Sequence, residues 1–357
     1  MNYTQLNFKK VGQLFTFVGM LGGLISTTNH VTAQEVVKSS PAGTGIYEGA
    51  INEGDGYLYI TSVGGKNNPG GALYKIDLGD LSIVDSILLK ENPPFGLAIN
   101  SKTQVAYTSN TRTNSVSAVD LKTGKVISTF NDGTEKSHTR ELLVDEENNL
   151  VYVTNVGDPS DIWVIDGTTN KLSHVIPDLG KTSTGMTFVN GKDKLYVTVM
   201  GENAIAVVDT KSRKVEKTFP SGGESPVNIV SDGVLLFVSN QKSGTVTVLD
   251  RDGKLIKSIE TGAGAIGIAY DPVKRRIYSA NRGTGTTTVI DAQTYMVLAD
   301  LSTGSAPNHV KVDKAGVAYV LNKTKAQRRQ PQQAGEQNVP QTAPTPDING
   351  DTVTKIK

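Results

Sequence analysis

The chain has no cysteine, and its 357 residues include only one tryptophan and four histidines. Without cysteine there can be no disulfide bond, no thiolate metal ligand, no catalytic thiol and no lipid anchor on cysteine. A P-loop and a Gly-x-Ser-x-Gly motif are also missing. Beyond residue 33 the histidines are His138, His174 and His309, and no two have metal-ligand spacing. The sequence therefore predicts no catalytic residue, no metal and no cofactor.

A charge excess of either sign is missing as well, because 36 Lys and Arg face 35 Asp and Glu. Residues 1–33 hold two of the bases and no acid, which leaves 34 basic and 35 acidic residues in the remainder. Proteins that coat nucleic acid are usually visibly basic, since phosphate neutralisation dominates their affinity. The overall charge gives no support for such a function.

Residues 1–33 have the pattern of a signal peptide. Lys9 and Lys10 supply positive charge, residues 11–25 are mainly apolar, and Val31 and Ala33 fit the small-residue sites before a cleavage point. The apolar stretch of about 15 residues is shorter than the roughly 20 that a membrane-spanning helix needs. An uncleaved anchor is the alternative. We expect a periplasmic protein with no membrane span after signal cleavage.

A repeat runs through the rest of the chain. A short strand with an aromatic anchor, most often in the pattern Tyr-x-x-Asn, recurs seven times at intervals of 41 to 48 residues. This interval is typical of one propeller blade. The anchors are Tyr59, Tyr107, Tyr152, Tyr196, Phe237, Tyr278 and Tyr319. Seven anchors predict an all-β, seven-bladed propeller that occupies residues 34–357 as one domain.

Each repeat carries four strand signals, A to D, with β-branched residues and Gly, Asn or Asp at the turns, which predicts four-stranded antiparallel blades. Strands A and B recur seven times, whereas strand C, which ends in Asp, and strand D recur six times. The missing strand C is expected at residues 351–356 and the missing strand D at residues 35–40. The N-terminal strand would then complete the last blade and close the ring.

The repeated Asn and Asp residues receive a structural interpretation. An Asn at the end of strand B is expected in a left-handed turn, and an Asp after strand C is expected as the first residue of a hairpin turn. Residues 324–350 are rich in Gln and Pro and are expected to form a disordered loop within the last blade.

The chain resembles the YVTN-repeat β-propellers over nearly all of residues 34–357. The Ile-Trp-Val-Ile-Asp-Gly segment at 162–167 and Ser-Thr-Gly-Met at 183–186 carry this resemblance most specifically, together with Phe95-Gly96, Thr123-Gly124-Lys125 and Arg140-Glu141-Leu142. The resemblance implies a soluble periplasmic seven-bladed propeller, with single-stranded DNA as a suggested ligand. Val199 stands where the family pattern has a polar residue, so a complete ring of asparagines is not expected.

Function is expected on the face formed by the D-to-A and B-to-C loops, which we call the top face, because these loops are the longer and more varied ones. The starts of the A strands would meet there around the channel mouth. The candidate ligand-binding residues are Tyr47, Glu48, Phe95, His138, Arg140, Glu141, Ser183, Thr184, Asn228, Asn308 and His309. The alternative is that Arg140 and Glu141 only make local hydrogen bonds in a wet channel.

Three functions stay open from the sequence. The first is a non-enzymatic binding or scaffolding propeller, expected as a monomer, for a small ligand or an envelope protein. The second is binding of single-stranded DNA through the basic run and an aromatic residue, with Lys323, Lys325, Arg328, Arg329 and Trp163 as candidate contacts. Core packing is the alternative role of Trp163. The third is a metal-assisted lyase or hydrolase that uses Glu48, Glu141 and His309.

Overall fold

The computed structural model describes residues 34–65, 70–133, 138–325 and 347–357. These residues form seven four-stranded antiparallel sheets. The A strands are β2 (Ile46–Asn52), β6 (Gly96–Asn100), β10 (Thr139–Asp145), β14 (Ser183–Phe188), β18 (Pro226–Ser231), β22 (Ala265–Asp271) and β26 (Ala306–Val312). The B strands are β3 (Tyr57–Ser62), β7 (Val105–Asn110), β11 (Leu150–Asn155), β15 (Lys194–Val199), β19 (Leu236–Asn240), β23 (Arg276–Asn281) and β27 (Ala318–Lys323).

The outer half of each sheet consists of strands C and D. The C strands are β4 (Ala72–Ile76), β8 (Ser115–Asp120), β12 (Asp161–Asp166), β16 (Ala204–Asp209), β20 (Thr245–Leu249), β24 (Thr286–Asp291) and β28 (Thr352–Ile356). The D strands are β5 (Ile83–Leu88), β9 (Lys125–Phe130), β13 (Lys171–Ile176), β17 (Lys214–Pro220), β21 (Leu255–Glu260), β25 (Val297–Ser302) and β1 (Val36–Pro41). A 3₁₀ turn, Met200–Glu202, follows β15.

The seven sheets are the blades of a closed propeller, and they are numbered in the order of their A strands, from blade one with β2 to blade seven with β26. Each A strand packs against the A strands of both neighbouring blades, and β26 of blade seven packs against β2 of blade one. The A strands therefore surround a central channel. Predictions of an all-β class, of seven blades and of four antiparallel strands per blade are all confirmed.

The hydrophobic core is divided among the spaces between blades. Each of seven buried clusters combines side chains from two adjacent sheets. The cluster between blades seven and one, for example, joins Ile46, Leu58 and Ile60 to Tyr319 and Val353. A chain of this length therefore avoids the need for one large core.

The two ends of the chain close the ring in the last blade, as predicted. The sheet order is β1-β28-β27-β26, and the antiparallel register places Pro41 opposite Thr352. The Asp351 carboxylate accepts hydrogen bonds from the backbone N–H groups of Gly45 (2.9 Å) and Ile46 (3.2 Å) in blade one. Lys355 Nζ donates to the carbonyl oxygen of Leu78, also in blade one, at 2.7 Å. Blade seven is thus fastened to blade one near both ends of β28.

The repeated asparagines are structural, but the turn interpretation of them is wrong. Asn110 and Asn281 end their B strands without a positive φ. Asn281 Nδ2 donates to Thr286 Oγ1 (3.2 Å) and Thr288 Oγ1 (2.8 Å) on strand C of the same blade. Asn110 makes the same pair of bonds to Ser115 and Ser117. The side-chain amide therefore ties strand B to strand C.

The aspartates that end strand C have the predicted turn role. Asp120 Oδ1 accepts hydrogen bonds from the backbone N–H groups of Lys122 (2.8 Å) and Thr123 (3.1 Å). Asp291 does the same with Gln293 and Thr294. Each carboxylate orders the hairpin between strands C and D.

Within the described ranges, the chain has no helix of the length and apolarity required to cross a membrane. The predicted signal peptide lies outside the described residues, as do residues 326–346 of the predicted disordered loop. Asp347, near the end of that loop, accepts hydrogen bonds from Ser305 Oγ and from the Lys325 backbone N–H.

The contacts of Asp351 between blades seven and one yield a prediction for Asp351→Ala. Loss of two charge-assisted hydrogen bonds should lower the free energy of unfolding by about 2–4 kcal/mol. Asp351→Asn is the matched control, because its amide oxygen still accepts a bond and Asn tolerates the φ of 51° at this position. Urea unfolding followed by Trp163 fluorescence measures both variants. Equal midpoints for the wild type and the alanine variant would contradict this role of Asp351.

Candidate functional site

β-bulges shape the start of most A strands. The A-to-B register shifts near the first residues of β2, β10, β14, β18, β22 and β26. A bulge re-aims the side chains beside it and is frequent next to binding sites. The shift in β2 spans Tyr47 and Glu48. The shift in β10 spans Arg140 and Glu141.

Two positive side chains meet on the ring of Tyr47 at the top-face mouth of the channel. The Arg140 guanidinium carbon lies 4.8 Å from the centroid of this ring, and an Arg140 N–H donates to the Tyr47 hydroxyl. Lys323 Nζ lies 3.7 Å from the same centroid. The negative face of an aromatic ring favours such cations. Blades one, three and seven therefore contribute to one site.

A third positive side chain reaches the same place from blade six. An Arg282 N–H donates to Asn308 Oδ1, and Asn308 Nδ2 donates to the Tyr47 carbonyl oxygen at 2.7 Å. Asn308 thus links Arg282 to the residue that holds Arg140 and Lys323. We call Arg140, Arg282 and Lys323 the mouth cations.

No carboxylate of a described residue lies within 4.0 Å of a side-chain nitrogen of the mouth cations, although the charges of Glu48 and Glu141 raise the pKa of Arg140. The ion pairs found among the described residues, within 4.0 Å, all involve other lysines. Arg282 Nε is buried and has no hydrogen-bond partner among the residues that the structure describes. Burial, together with the charges of Arg282 and Arg140, lowers the pKa of Lys323 to about 8. Burial also lowers the pKa of Arg282, with a further contribution from Arg140. The mouth is therefore a partly desolvated cluster of like charges.

A layer of acidic and basic groups lies next to the mouth cations. Glu48 is only 3% exposed, and its side chain lies beside that of Glu141. Burial and the Glu141 charge raise the pKa of Glu48 well above its usual value, against the opposing effects of Arg140 and Lys311. Burial lowers the pKa of Lys311, against the opposing charges of the two glutamates. Burial next to Glu141 therefore favours the protonated form of Glu48.

His309 belongs to this layer as a neutral side chain. Burial lowers its pKa well below the usual value, and the charges of Lys311 and Arg140 lower it further. The Gly49 backbone N–H lies 3.1 Å from His309 Nδ1 and donates to it. The ring proton is accordingly assigned to Nε2.

The opposite end of the channel has a different character. A cavity of about 330 Å³ there is lined by apolar A-strand residues, which include Ala50, Ile51, Ile99 and Val144, and by the charged residues Glu53, Glu146 and Lys311. None of the three mouth cations lines this cavity.

The structure brings together some of the predicted ligand-binding residues. Tyr47, Arg140 and Asn308 form the mouth, and the Phe95 ring packs edge-on to Tyr47 with centroids 5.1 Å apart. Glu48, Glu141 and His309 form the layer beside them. His138 immediately precedes β10, and partial desolvation of its ring, together with the nearby Arg140 charge, lowers its pKa.

Three of the predicted residues are engaged in bonds within and between blades. Thr184 Oγ1 donates to the Val227 carbonyl oxygen at 2.7 Å, and Asn228 Nδ2 donates to that of Ile266 at 3.3 Å. Ser183 is fully buried, and its backbone N–H donates to Ser160 Oγ. These contacts join blades and loops, and they place none of the three beside the mouth cations.

The outcome differs among the five residues predicted for nucleic-acid contact. Lys323 is a mouth cation, and Lys325 is exposed. Arg328 and Arg329 lie outside the described residues. Trp163 is 0% exposed in β12, so the alternative of core packing applies and its ring cannot stack on a base here.

Arg282 and Lys311 were missed by the sequence analysis. Arg282 and Lys323 directly follow Asn281 and Asn322, the asparagines of two successive Tyr-x-x-Asn units. A comparison of the residues that follow this asparagine in each repeat could have identified Arg282. Lys311 lies within β26, and the sequence offers no comparable signal for it.

Comparison with known proteins identifies the family. A curated protein of Salmonella typhi named YncE is 33% identical over 328 residues, which are 87% of this chain and 92% of that protein. Its namesake in Escherichia coli strain K12 is 30% identical over 329 residues, with the same coverage. The chain belongs to the YncE family. A scan against protein-family models finds no match. The YncE family assignment agrees with the seven-bladed fold.

The metal-assisted alternative lacks a ligand set in this YncE-family structure. Among residues 34–65, 70–133, 138–325 and 347–357, no three His, Cys, Asp or Glu side chains are grouped so that they could hold a metal ion. The side chain of Glu48 lies beside that of Glu141, and His309 Nδ1 accepts the Gly49 N–H.

The buried acid yields a prediction for Glu48→Gln. A raised pKa in the folded state means that stability is full below the unfolded value, near 4.3, and falls as pH rises toward the folded pKa. The amide cannot ionise, so the variant should unfold at a higher temperature than the wild type at pH 7, and the gain should shrink at pH 4. The limiting slope is about 1.4 kcal/mol per pH unit.

Exposed Glu91→Gln is the matched control, and its melting temperature should follow that of the wild type at both pH values. Scanning calorimetry measures all three proteins. A loss of stability in Glu48→Gln that grows from pH 4 to pH 7 would show that Glu48 is ionised.

Proposed function

We propose that the chain is a non-enzymatic binding propeller of the periplasm that holds a small anionic ligand at its channel mouth. The mouth cations carry this proposal, because three positive groups from three blades converge with no carboxylate of a described residue within 4.0 Å of their nitrogens. Partly buried charges are usually paired. A carboxylate, sulfate or phosphate group would supply the missing negative charge.

The side chains around the mouth cations favour a ligand that is small and planar or tetrahedral. Arginine presents parallel N–H groups that match the oxygens of such anions, whereas lysine acts as a point charge. The Tyr47 and Phe95 rings provide apolar contact area beside the charges. The buried Arg282 Nε, which has no partner among the described residues, is a further donor.

The periplasmic location follows from the pattern of residues 1–33, which we propose to be a signal peptide cleaved after Ala33. The absence of cysteine is compatible with an oxidising compartment, where the fold would depend on the ring closure for its stability. Fractionation of cells that produce the full chain tests this location. Retention of the protein in the cytoplasm with an intact N-terminus would contradict it.

Sulfate is a suitable first probe, because its charge is constant between pH 6 and 9. Isothermal titration at constant ionic strength should detect binding, and Arg282→Gln should weaken it by more than about tenfold. Affinity should fall as pH rises through about 8, because Lys323 then loses the charge that attracts the anion. Lys125→Met, an exposed change on β9, is the matched control and should bind like the wild type. Equal affinity in all three proteins would refute the mouth as the site.

Single-stranded nucleic acid is a second candidate ligand. The Arg112 guanidinium carbon lies 5.5 Å from the centroid of the half-buried Phe95 ring, next to the mouth. An exposed aromatic ring beside cations can stack a base and contact its phosphate.

Fluorescence anisotropy with a labelled oligonucleotide at about 50 and about 200 mM salt tests this second candidate. Binding should weaken with salt and with Arg112→Ala, whereas Lys125→Met should have no effect. Absence of binding at the lower salt concentration would eliminate nucleic acid.

A further inference from the structure

We propose that Lys323 is a covalent capture site for small carbonyl compounds that carry an anionic group, through a reversible imine. This inference rests on the proposed anion-binding mouth and deepens it, since it names a second functional group of the ligand. Its ligand class is an aldehyde or ketone that bears a carboxylate or a phosphate.

The position of the amine carries the inference. Lys323 is the last residue of β27 at the channel mouth, with its Nζ 3.7 Å from the Tyr47 ring centroid. No carboxylate of a described residue lies within 4.0 Å of this nitrogen. The nearby Asp351 carboxylate is already engaged by the backbone N–H groups of Gly45 and Ile46. A lysine amine placed among apolar surface and cations is the arrangement that activates imine-forming lysines.

The charged groups that face Lys323 determine how much neutral amine is present. Burial has the largest effect and lowers the pKa of Lys323. The charges of Arg282 and Arg140 lower it further, whereas those of Asp351 and Glu48 raise it, and the resulting pKa is about 8. About a tenth of the amine is then neutral at pH 7, compared with less than about a thousandth for an ordinary lysine. Only the neutral form has the lone pair that attacks a carbonyl carbon.

The reaction balances without any further reagent. The amine nitrogen forms a bond to the carbonyl carbon, and the electron pair of the carbonyl π bond moves to oxygen, which takes one proton from nitrogen. The resulting carbinolamine loses its hydroxyl together with the second nitrogen proton, as one water, and the carbon–nitrogen double bond forms. Hydrolysis reverses these steps. Nothing is oxidised or reduced.

Arg140 and Arg282 would select the anionic carbonyl compounds. Their guanidinium groups are held on Tyr47 and Asn308 beside the amine, where they can bind the carboxylate or phosphate of the same molecule. Binding of that group positions the carbonyl carbon near Nζ and raises the local concentration of the reactant.

Reductive trapping tests the inference. The full chain is incubated with glyoxylate, glycolaldehyde phosphate or neutral glycolaldehyde, and sodium cyanoborohydride reduces any imine to a stable secondary amine that peptide mass spectrometry locates. Lys323 should be modified by both anionic aldehydes more than about tenfold faster than exposed Lys325 at pH 7. With the aldehyde at a saturating concentration and sulfate absent, the rate of Lys323 modification should rise with pH, with a midpoint near 8. Sulfate should slow the two anionic aldehydes more than the neutral one.

Lys323→Arg is the matched variant, because it keeps the positive charge and removes the amine nucleophile. It should give no adduct at position 323, with adducts at other lysines, including exposed Lys325, unchanged. Equal labelling of Lys323 and Lys325 by every aldehyde, in a protein that binds sulfate, would overturn the imine site and leave the proposed function intact. Selective labelling of Lys323 by glycolaldehyde alone, in a protein that does not bind sulfate, would overturn the anion requirement and the proposed function together.

Discussion

The antiparallel pairing of β1 with β28 is the interaction on which the rest of the structure depends. It joins the two ends of the chain in one sheet and, with the contacts of Asp351 and Lys355 to blade one, holds the ring closed. The site at the mouth requires this closure, because Tyr47, Arg140, Arg282 and Lys323 come from blades one, three, six and seven. An open ring would still contain the individual blades but would separate these four side chains.

The closed channel also explains why its charged groups are perturbed. Water is replaced by neighbouring strands, so like charges repel more strongly and lone carboxylates lose solvation. The pKa of Glu48 is raised well above its usual value, that of His309 is lowered well below its usual value, and that of Lys323 falls to about 8. The mouth cations are left with net positive charge, which is the property that a bound anion would neutralise.

Much of this fold could be predicted from the sequence, because the repeat is encoded locally. The spacing of the tyrosine anchors, the Asp at each C-to-D turn and the count of C and D strands led to seven blades and to the strand exchange at the ends. The site could be predicted only in part. Tyr47, Arg140 and Asn308 lie at A-strand starts, whereas Arg282 reaches them across the channel mouth, and no local pattern states which blades face each other. The aromatic ring of Trp163 and the hydroxyl of Thr184 suggested binding. Both side chains instead contribute to contacts between blades.

The most direct test of the mouth as an anion site is anomalous diffraction from crystals of the protein grown in sodium selenate. Selenium scatters distinctly, and the anion has the geometry and charge of sulfate. An anomalous peak bounded by the side chains of Arg140, Arg282 and Lys323 is expected. A mouth that contains only water, in crystals with selenate peaks elsewhere on the surface, would contradict it.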